Sequence, residues 1–270
     1  MFFHTYLTDL IKSGDVVAAL ERIRNNQEIN SCTYWEQYTP LHLAIETNQP
    51  SIVEALLDAH ANVNAVTYHD TLTPLHIAAR SADIRSIQAL IRYNPNLNAK
   101  TYKEHDTALH IAVKHGFLAQ ADALLMAGAM VDLYNKNHDT ALHIAAKQGD
   151  MQMITLLLYR GANCNLHNHD EQTPLFLALM AGHSQCVDLL AYNGATFGKS
   201  FDSIKKLQAN YEQECKKNDA LSEDNEILRL ELTYKNMVIA DLNKELKKLQ
   251  QIFDNLPTAK AVGGPSPYRP

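Results

Sequence analysis

Apolar residues along most of this chain fall into a repeating double stripe. Leu41, Ala44 and Ile45 share one face of a short helix, and Ile52, Val53, Leu56 and Leu57 follow with the spacing of a second buried stripe. A turn separates the two stripes, as at His115-Gly116 and Gln148-Gly149-Asp150. Thr followed by Pro or Ala opens the first helix, where proline is tolerated because the first helical N–H needs no partner inside the helix. The unit closes on polar residues, Ala61-Asn62-Val63-Asn64 in one case and Ala162-Asn163-Cys164-Asn165 in another, and a polar finger leads into the next Thr. The pattern predicts helical hairpins, each too small to bury its apolar faces without a stacked neighbour.

The period of these hairpins is regular. Thr39-Pro40-Leu41-His42-Leu43-Ala44 returns as Thr73-Pro74-Leu75-His76-Ile77-Ala78, Thr107-Ala108-Leu109-His110-Ile111-Ala112, Thr140-Ala141-Leu142-His143-Ile144-Ala145 and Thr173-Pro174-Leu175-Phe176-Leu177-Ala178. The threonines are 34, 34, 33 and 33 residues apart. This chain resembles the ankyrin-repeat family, whose unit is about 33 residues with a T-P-L-H-x-A core. The resemblance implies an all-α solenoid of about six helix-turn-helix repeats. They would start near 5, 39, 73, 107, 140 and 173 and fill residues 1–198. Residues 5–38 read as a degenerate first repeat and the sixth, with Phe176 in place of His, as the opposite cap.

A different periodicity begins at Ser200. Counting sevens from Ile204 and from Leu207 generates two seams, and twelve of their sixteen positions up to Leu256 are apolar or aromatic. Such a run predicts a coiled-coil helix over 200–256, followed by a disordered tail over 257–270 after Pro257. The seam residues expected to drive self-association are Leu221, Asn225, Leu228, Leu232, Ile239, Leu242, Leu246 and Leu249. Asn225 and Asn218 are the polar seam residues that can fix the register of a parallel pair. A homodimer is expected; a single helix packing back on the last repeat is the alternative.

Charge narrows the partners. The chain carries 24 Lys plus Arg against 30 Asp plus Glu, a net −6. After Gly198 the counts are 12 and 11, which leaves 12 and 19 before it, or −7 for the repeats. An acidic solenoid is badly suited to gripping a phosphate backbone, so no nucleic acid is expected. No run approaches the roughly 20 apolar residues of a membrane span, and no membrane insertion is expected. Cys32, Cys164, Cys186 and Cys215 lie far apart with no C-x-x-C pair, which suits thiols in a reducing compartment better than disulfides or a metal site. The expected location is cytoplasmic, with delivery into a host cell through a secretion system as the alternative.

No catalytic residues, cofactor or metal site is expected. A phosphate-binding glycine loop, H-E-x-x-H and a nucleophile elbow are all missing from the sequence. Histidines 42, 76, 110 and 143 recur, yet helices packed about 8–10 Å apart cannot bring successive repeats to one zinc ion, whose ligands lie about 2 Å away. The resemblance implies instead that they hydrogen-bond within and between repeats. It also implies a concave groove faced by the two residues after each motif. One row there reads Lys12, Glu46, Arg80, Lys114, Lys147 and Met180, the next Ser13, Thr47, Ser81, His115, Gln148 and Ala181. In the fingers, Tyr34, Tyr68 and Tyr102 recur every 34 residues and are expected to stack as a ladder, with Trp35 beside the first rung. Tyr, Trp and Arg dominate binding hot spots. The expected partner-binding set is Tyr34, Trp35, Tyr68, Arg80, Tyr102, Lys114, His115 and Lys147.

Those features predict a non-enzymatic scaffold that binds an unknown protein partner and self-associates through its helix. Two alternatives stand beside it: a bacterial effector that binds host proteins, and an inhibitor or co-regulator of a transcription factor. The glycine usual in the family's finger turn is replaced by His138 and Glu171, the first three fingers hold one extra residue, and Asn48 and Ala82 replace the glycine that links the helices.

Overall fold

The computed structural model describes residues 6–33 and 37–196. Every regular element among them is helical, in six consecutive hairpins: α1 (Leu7–Ser13) with α2 (Val16–Arg24), α3 (Pro40–Glu46) with α4 (Pro50–Asp58), α5 (Pro74–Ala79) with α6 (Ile84–Ile91), α7 (Ala108–Lys114) with α8 (Leu118–Met126), α9 (Ala141–Gln148) with α10 (Met151–Tyr159), and α11 (Pro174–Met180) with α12 (Ser184–Tyr192). Odd-numbered inner helices pack on one another in sequence, even-numbered outer helices do the same, and each hairpin closes on itself. This is a two-layer solenoid. The coiled-coil and tail expectations for 200–270, with all eight self-association residues, lie outside the described residues, as do Tyr34 and Trp35.

One continuous core runs through the stack. Leu41 and Ile45 from α3, Ile52 and Leu56 from α4, Leu75 and Ile77 from α5 and Ile87 and Leu90 from α6 are essentially without solvent exposure. The series continues through Leu109, Leu124, Leu142, Leu157, Leu175 and Leu190. These are the positions the double stripe picks out. The first hairpin lacks the Thr–His pair, and the Glu28 carboxylate takes over by accepting the Leu7 N–H at 2.8 Å.

Helix ends explain the punctuation between stripes. Asp15, Asp83 and Asp150 cap three outer helices by accepting a backbone N–H from the first turn. The links between helices pass through a left-handed residue at Gly14, Asn48, Gly116, Gly149 and Gly182. Gly149 has a second reason to be glycine: a Cβ there would meet the His183 ring at 2.6 Å. Ala82 breaks the series. It keeps φ negative, α5 ends at Ala79, and the Asp83 N–H turns to Ser81 Oγ at 3.2 Å.

The fingers come in two lengths with two different hubs. In the longer ones, Thr33, Thr67 and Thr101 accept the N–H of Tyr38, Leu72 and Asp106 on their hydroxyls, all at 3.0 Å. In the shorter ones Asn135 Oδ1 accepts from Asn137 and Asp139, and Asn168 Oδ1 from Asp170 and Gln172. Every finger carries a non-glycine left-handed residue: Gln37, Thr71, His105, His138 and Glu171. Thr71 is the costliest, because a β-branched side chain crowds the backbone at its φ of 49°. Thr71→Gly is expected to raise the unfolding free energy by about 1 kcal/mol, measured by urea titration. A loss of stability would show that the Thr71 hydroxyl, 3.4 Å from the Lys100 carbonyl, matters more than the strain.

Candidate functional site

The site is built on four repeated Thr–His braces. Thr39, Thr73, Thr107 and Thr140 each precede an inner helix, and the histidine three residues later folds back on them. The Thr backbone N–H donates to His Nδ1 at 3.2, 3.0, 3.2 and 3.2 Å, and the Thr hydroxyl lies 2.9, 2.9, 2.8 and 2.8 Å from the same nitrogen. On the far side Nε2 reaches a carbonyl of the following finger: Leu72 at 3.1 Å, Ala99 at 2.9 Å, Asp139 at 3.1 Å and Gln172 at 3.1 Å.

These partners fix the tautomer. A backbone N–H only donates and a carbonyl only accepts, so Nδ1 must be bare and Nε2 must carry the proton. All four rings are buried and neutral. Burial lowers the His42 pKa to about 4 and depresses those of His76, His110 and His143 below the usual imidazole value, against the opposing pull of the carbonyls that accept from Nε2. Both ring nitrogens are occupied, so these histidines tie repeats together. Among the described residues no group of three His, Cys, Asp or Glu could hold a metal ion. In the sixth repeat Phe176 offers no nitrogen, and the Thr173 hydroxyl itself donates to the Thr196 carbonyl at 2.8 Å.

The braces hold the fingers in register, and backbone bonds join the tips. Tyr102 N–H donates to the Asp70 carbonyl at 2.9 Å, Lys136 N–H to Glu104 at 2.8 Å and His169 N–H to Asn137 at 3.0 Å. The fingers of Tyr68 and Tyr102 are joined by the first of these bonds, and the two rings are not stacked on each other; Tyr34, the first rung expected, lies outside the described residues. Tyr68 turns its edge to His69, 5.2 Å away, and Tyr68 and Tyr102 stand 66% and 71% exposed. Ring stacking appears further along, where Tyr134, His138 and His169 form a column with centroid spacings of 4.7 and 3.8 Å. Lys100 donates to the Tyr134 carbonyl at 2.6 Å and lies 5.8 Å from that ring.

The groove cations are less free than their row implies. Arg80 pairs with Glu46, one repeat earlier in the same row, at 2.7 Å. Lys114 pairs with Asp106, a carboxylate buried in the finger and bonded also by the Asn135 amide at 3.2 Å. Lys147 is exposed, and His115 is exposed with its ring stacked on Phe117 at 5.6 Å. Arg80 and Lys114 thus hold the scaffold as well as facing outward.

One tie escaped the sequence reading. The side-chain oxygens of Asn30, Asn64, Asn98, Asp132 and Asn165 each accept a backbone N–H from the next repeat, at Asn62, Asn96, Met130, Asn163 and Thr196, over 2.7 to 3.0 Å. Its signal was the Asn-x-Asn that closes three of the units, at 62–64, 96–98 and 163–165. Cys164 and Cys186 are buried, which pushes both thiols up and keeps them protonated at neutral pH.

Stacked hairpins with rigid projecting fingers define a repeat solenoid whose chemistry is its surface. Family profiles described as ankyrin repeats match residues 25–78, 64–135 and 109–200. The chain belongs to the ankyrin-repeat family, a typical protein–protein interaction module. Among solved structures it is similar to the ankyrin repeat domain of Bcl-3, described as a unique member of the IkappaB protein family. The two share 29% identity over 70% of this chain and 86% of that one, with a TM-score of 0.65. No curated protein matches the chain. Among the described residues no helix is long and apolar enough to cross a membrane.

Proposed function

We propose that the protein is a non-enzymatic adaptor that binds a partner protein on the fingers and inner-helix face and self-associates through residues 200–256. The observation that carries the binding reading is the pair Tyr68 and Tyr102. They are exposed on adjacent fingers whose backbones are bonded to each other, so two large rings are offered from a rigid base. Rigid aromatics bind with little loss of side-chain freedom, which is why they dominate hot spots. Two tethered copies would raise the apparent affinity for a multivalent partner.

The test is affinity capture with the wild type beside a Tyr68→Ala/Tyr102→Ala variant, with light scattering on both preparations. The variant is expected to lose its partner by about tenfold or more in affinity, with the oligomeric state unchanged. Equal recovery would refute the finger site, and a monomeric wild type would refute self-association. Lys114 is unsuited to such a scan, since its removal strands the Asp106 carboxylate in a buried finger. The co-regulator reading draws support from the likeness to an IkappaB-family domain. Capture from nuclear extract that recovers no nuclear factor would count against it.

A further inference from the structure

The C-terminal end of the outer helix is one equivalent place in all six repeats, filled by Arg24, Asp58, Arg92, Met126, Tyr159 and Tyr192. In the first three repeats it is charged. In the last three it is large and apolar, and Met126, Tyr159 and Tyr192 stand 69%, 64% and 74% exposed. Three residues earlier, and hence on the same helix face, Ala123, Leu156 and Leu189 are half-buried. With neighbouring axes about 8–10 Å apart, the band runs for roughly 20 Å across α8, α10 and α12. Beside it lie the Arg160–Asp122 pair, with Arg160 5.6 Å from the Tyr159 ring, and the exposed Asp188.

We propose that residues 204–221 of this same chain cover that band. The exit of the chain points to this occupant. The Thr196 N–H and hydroxyl are both held by Asn165 Oδ1, at 2.8 and 2.9 Å, so the last described residue, four beyond Tyr192, is fixed at one end of the band. Residues 197–203 can span roughly 24 Å, enough to reverse direction.

Spacing points the same way. A heptad of helix rises about 10.5 Å, close to the separation of the outer helices. A helix laid across α12, α10 and α8 therefore sets Ile204 and Leu207 on Tyr192, Tyr211 on Tyr159 and Leu221 on Met126. Glu214 then falls beside Arg160, and Lys205 and Lys206 beside Asp188.

The seam's own composition supplies the third argument. Glu214, Asn218 and Asn225 crowd its first half, whereas Lys235 is the one polar residue between Leu228 and Leu256. The first half is poor material for pairing with its own copy, and the second half is good material. The band is also confined to the three repeats that lead into the segment.

The test is limited trypsin digestion of the full-length protein, reading cleavage after Lys205, Lys206, Lys216 and Lys217. Wild type is compared with Met126→Glu/Tyr159→Glu/Tyr192→Glu and with Arg24→Glu/Arg92→Glu at the charged end of the same row. All substituted positions are solvent-exposed, and circular dichroism checks that the helix content is kept. The first variant is expected to be cut at these lysines at least about tenfold faster, the second at the wild-type rate, and Lys247 and Lys248 equally in all three. Protection in the wild type should also survive hundredfold dilution. Equal cleavage in wild type and the first variant overturns the proposal. Protection that fades with dilution, in step with light scattering, overturns it in favour of a second copy. Protection that appears only when another protein is added overturns it in favour of a separate partner. This docking leaves self-association to the remainder of the heptad segment, 222–256; it is read separately, so its loss would refute the dimer and leave the docking intact.

Discussion

Replacing His110 with leucine is expected to lower the unfolding free energy by roughly 2–4 kcal/mol, with little change in side-chain volume. The imidazole accepts from the buried Thr107 N–H and hydroxyl and donates to the part-buried Asp139 carbonyl. Leucine fills the space and leaves the buried Thr107 N–H without a partner, at about 1–3 kcal/mol, while the Asp139 carbonyl loses one of its two bonds and keeps the Asn135 N–H at 3.0 Å. Thr107→Val keeps the ring and its bond to the next finger, and is expected to cost only about 1 kcal/mol. Urea titrations of the two variants compare the values directly. A cost below that of Thr107→Val would mean that the ring is packing material and that water or a shifted backbone satisfies both groups.

Acid should unfold the repeats well above the pH at which carboxylates titrate. The sign follows from the depressed imidazoles. In the unfolded chain each of the four brace histidines takes a proton near pH 6.5, while in the fold His42 waits until about pH 4 and the other three also stay neutral below their usual range. The unfolded state therefore binds more protons within that window, so stability is full above about pH 6.5 and falls as the pH drops. A ring kept neutral in the fold while its unfolded counterpart is charged contributes about 1.4 kcal/mol per pH unit, so His42 sets a fall of that slope between about pH 6.5 and 4, and the other three add to it in the same direction. Against a typical total of about 5–15 kcal/mol, these losses are expected to bring the onset of acid unfolding into the range between about pH 6.5 and 4. Stability measured by urea at successive pH values should show that fall, and the fall should lessen in His143→Gln. A curve flat from pH 7 to 5 would mean that the rings are already charged in the fold.

Much of this fold was legible because its rules are local. The Thr-Pro/Ala-Leu-His run encodes a cap, a first turn and a buried ring within four residues, and each does in the structure what its chemistry suggests. His138 and Glu171 were visible only as replacements for the family's glycine, and the structure shows that both keep the left-handed backbone of that position. The candidate binding surface was less legible because it depends on directions that spacing does not encode. A 34-residue interval sets the height of Tyr68 and Tyr102 on the stack but not the way each ring turns, and Tyr68 turned to its neighbour His69. The row of cations was visible, whereas its cancellation was not: Glu46 lies 34 residues from Arg80, and Asp106 belongs to the finger before Lys114. Tyr34, Trp35 and the heptad segment fall outside the described residues, and the structure leaves those expectations where the sequence put them.

The braces also impose an order in time. Each histidine ring reaches forward, to a carbonyl 23 to 30 residues later in the chain, and the asparagine ties point the same way. On a ribosome, a freshly emerged hairpin therefore has its Nε2–H unsatisfied until the next finger arrives. Maturation must trail synthesis by about one unit, and the last hairpin escapes this wait because Phe176 asks for no such bond.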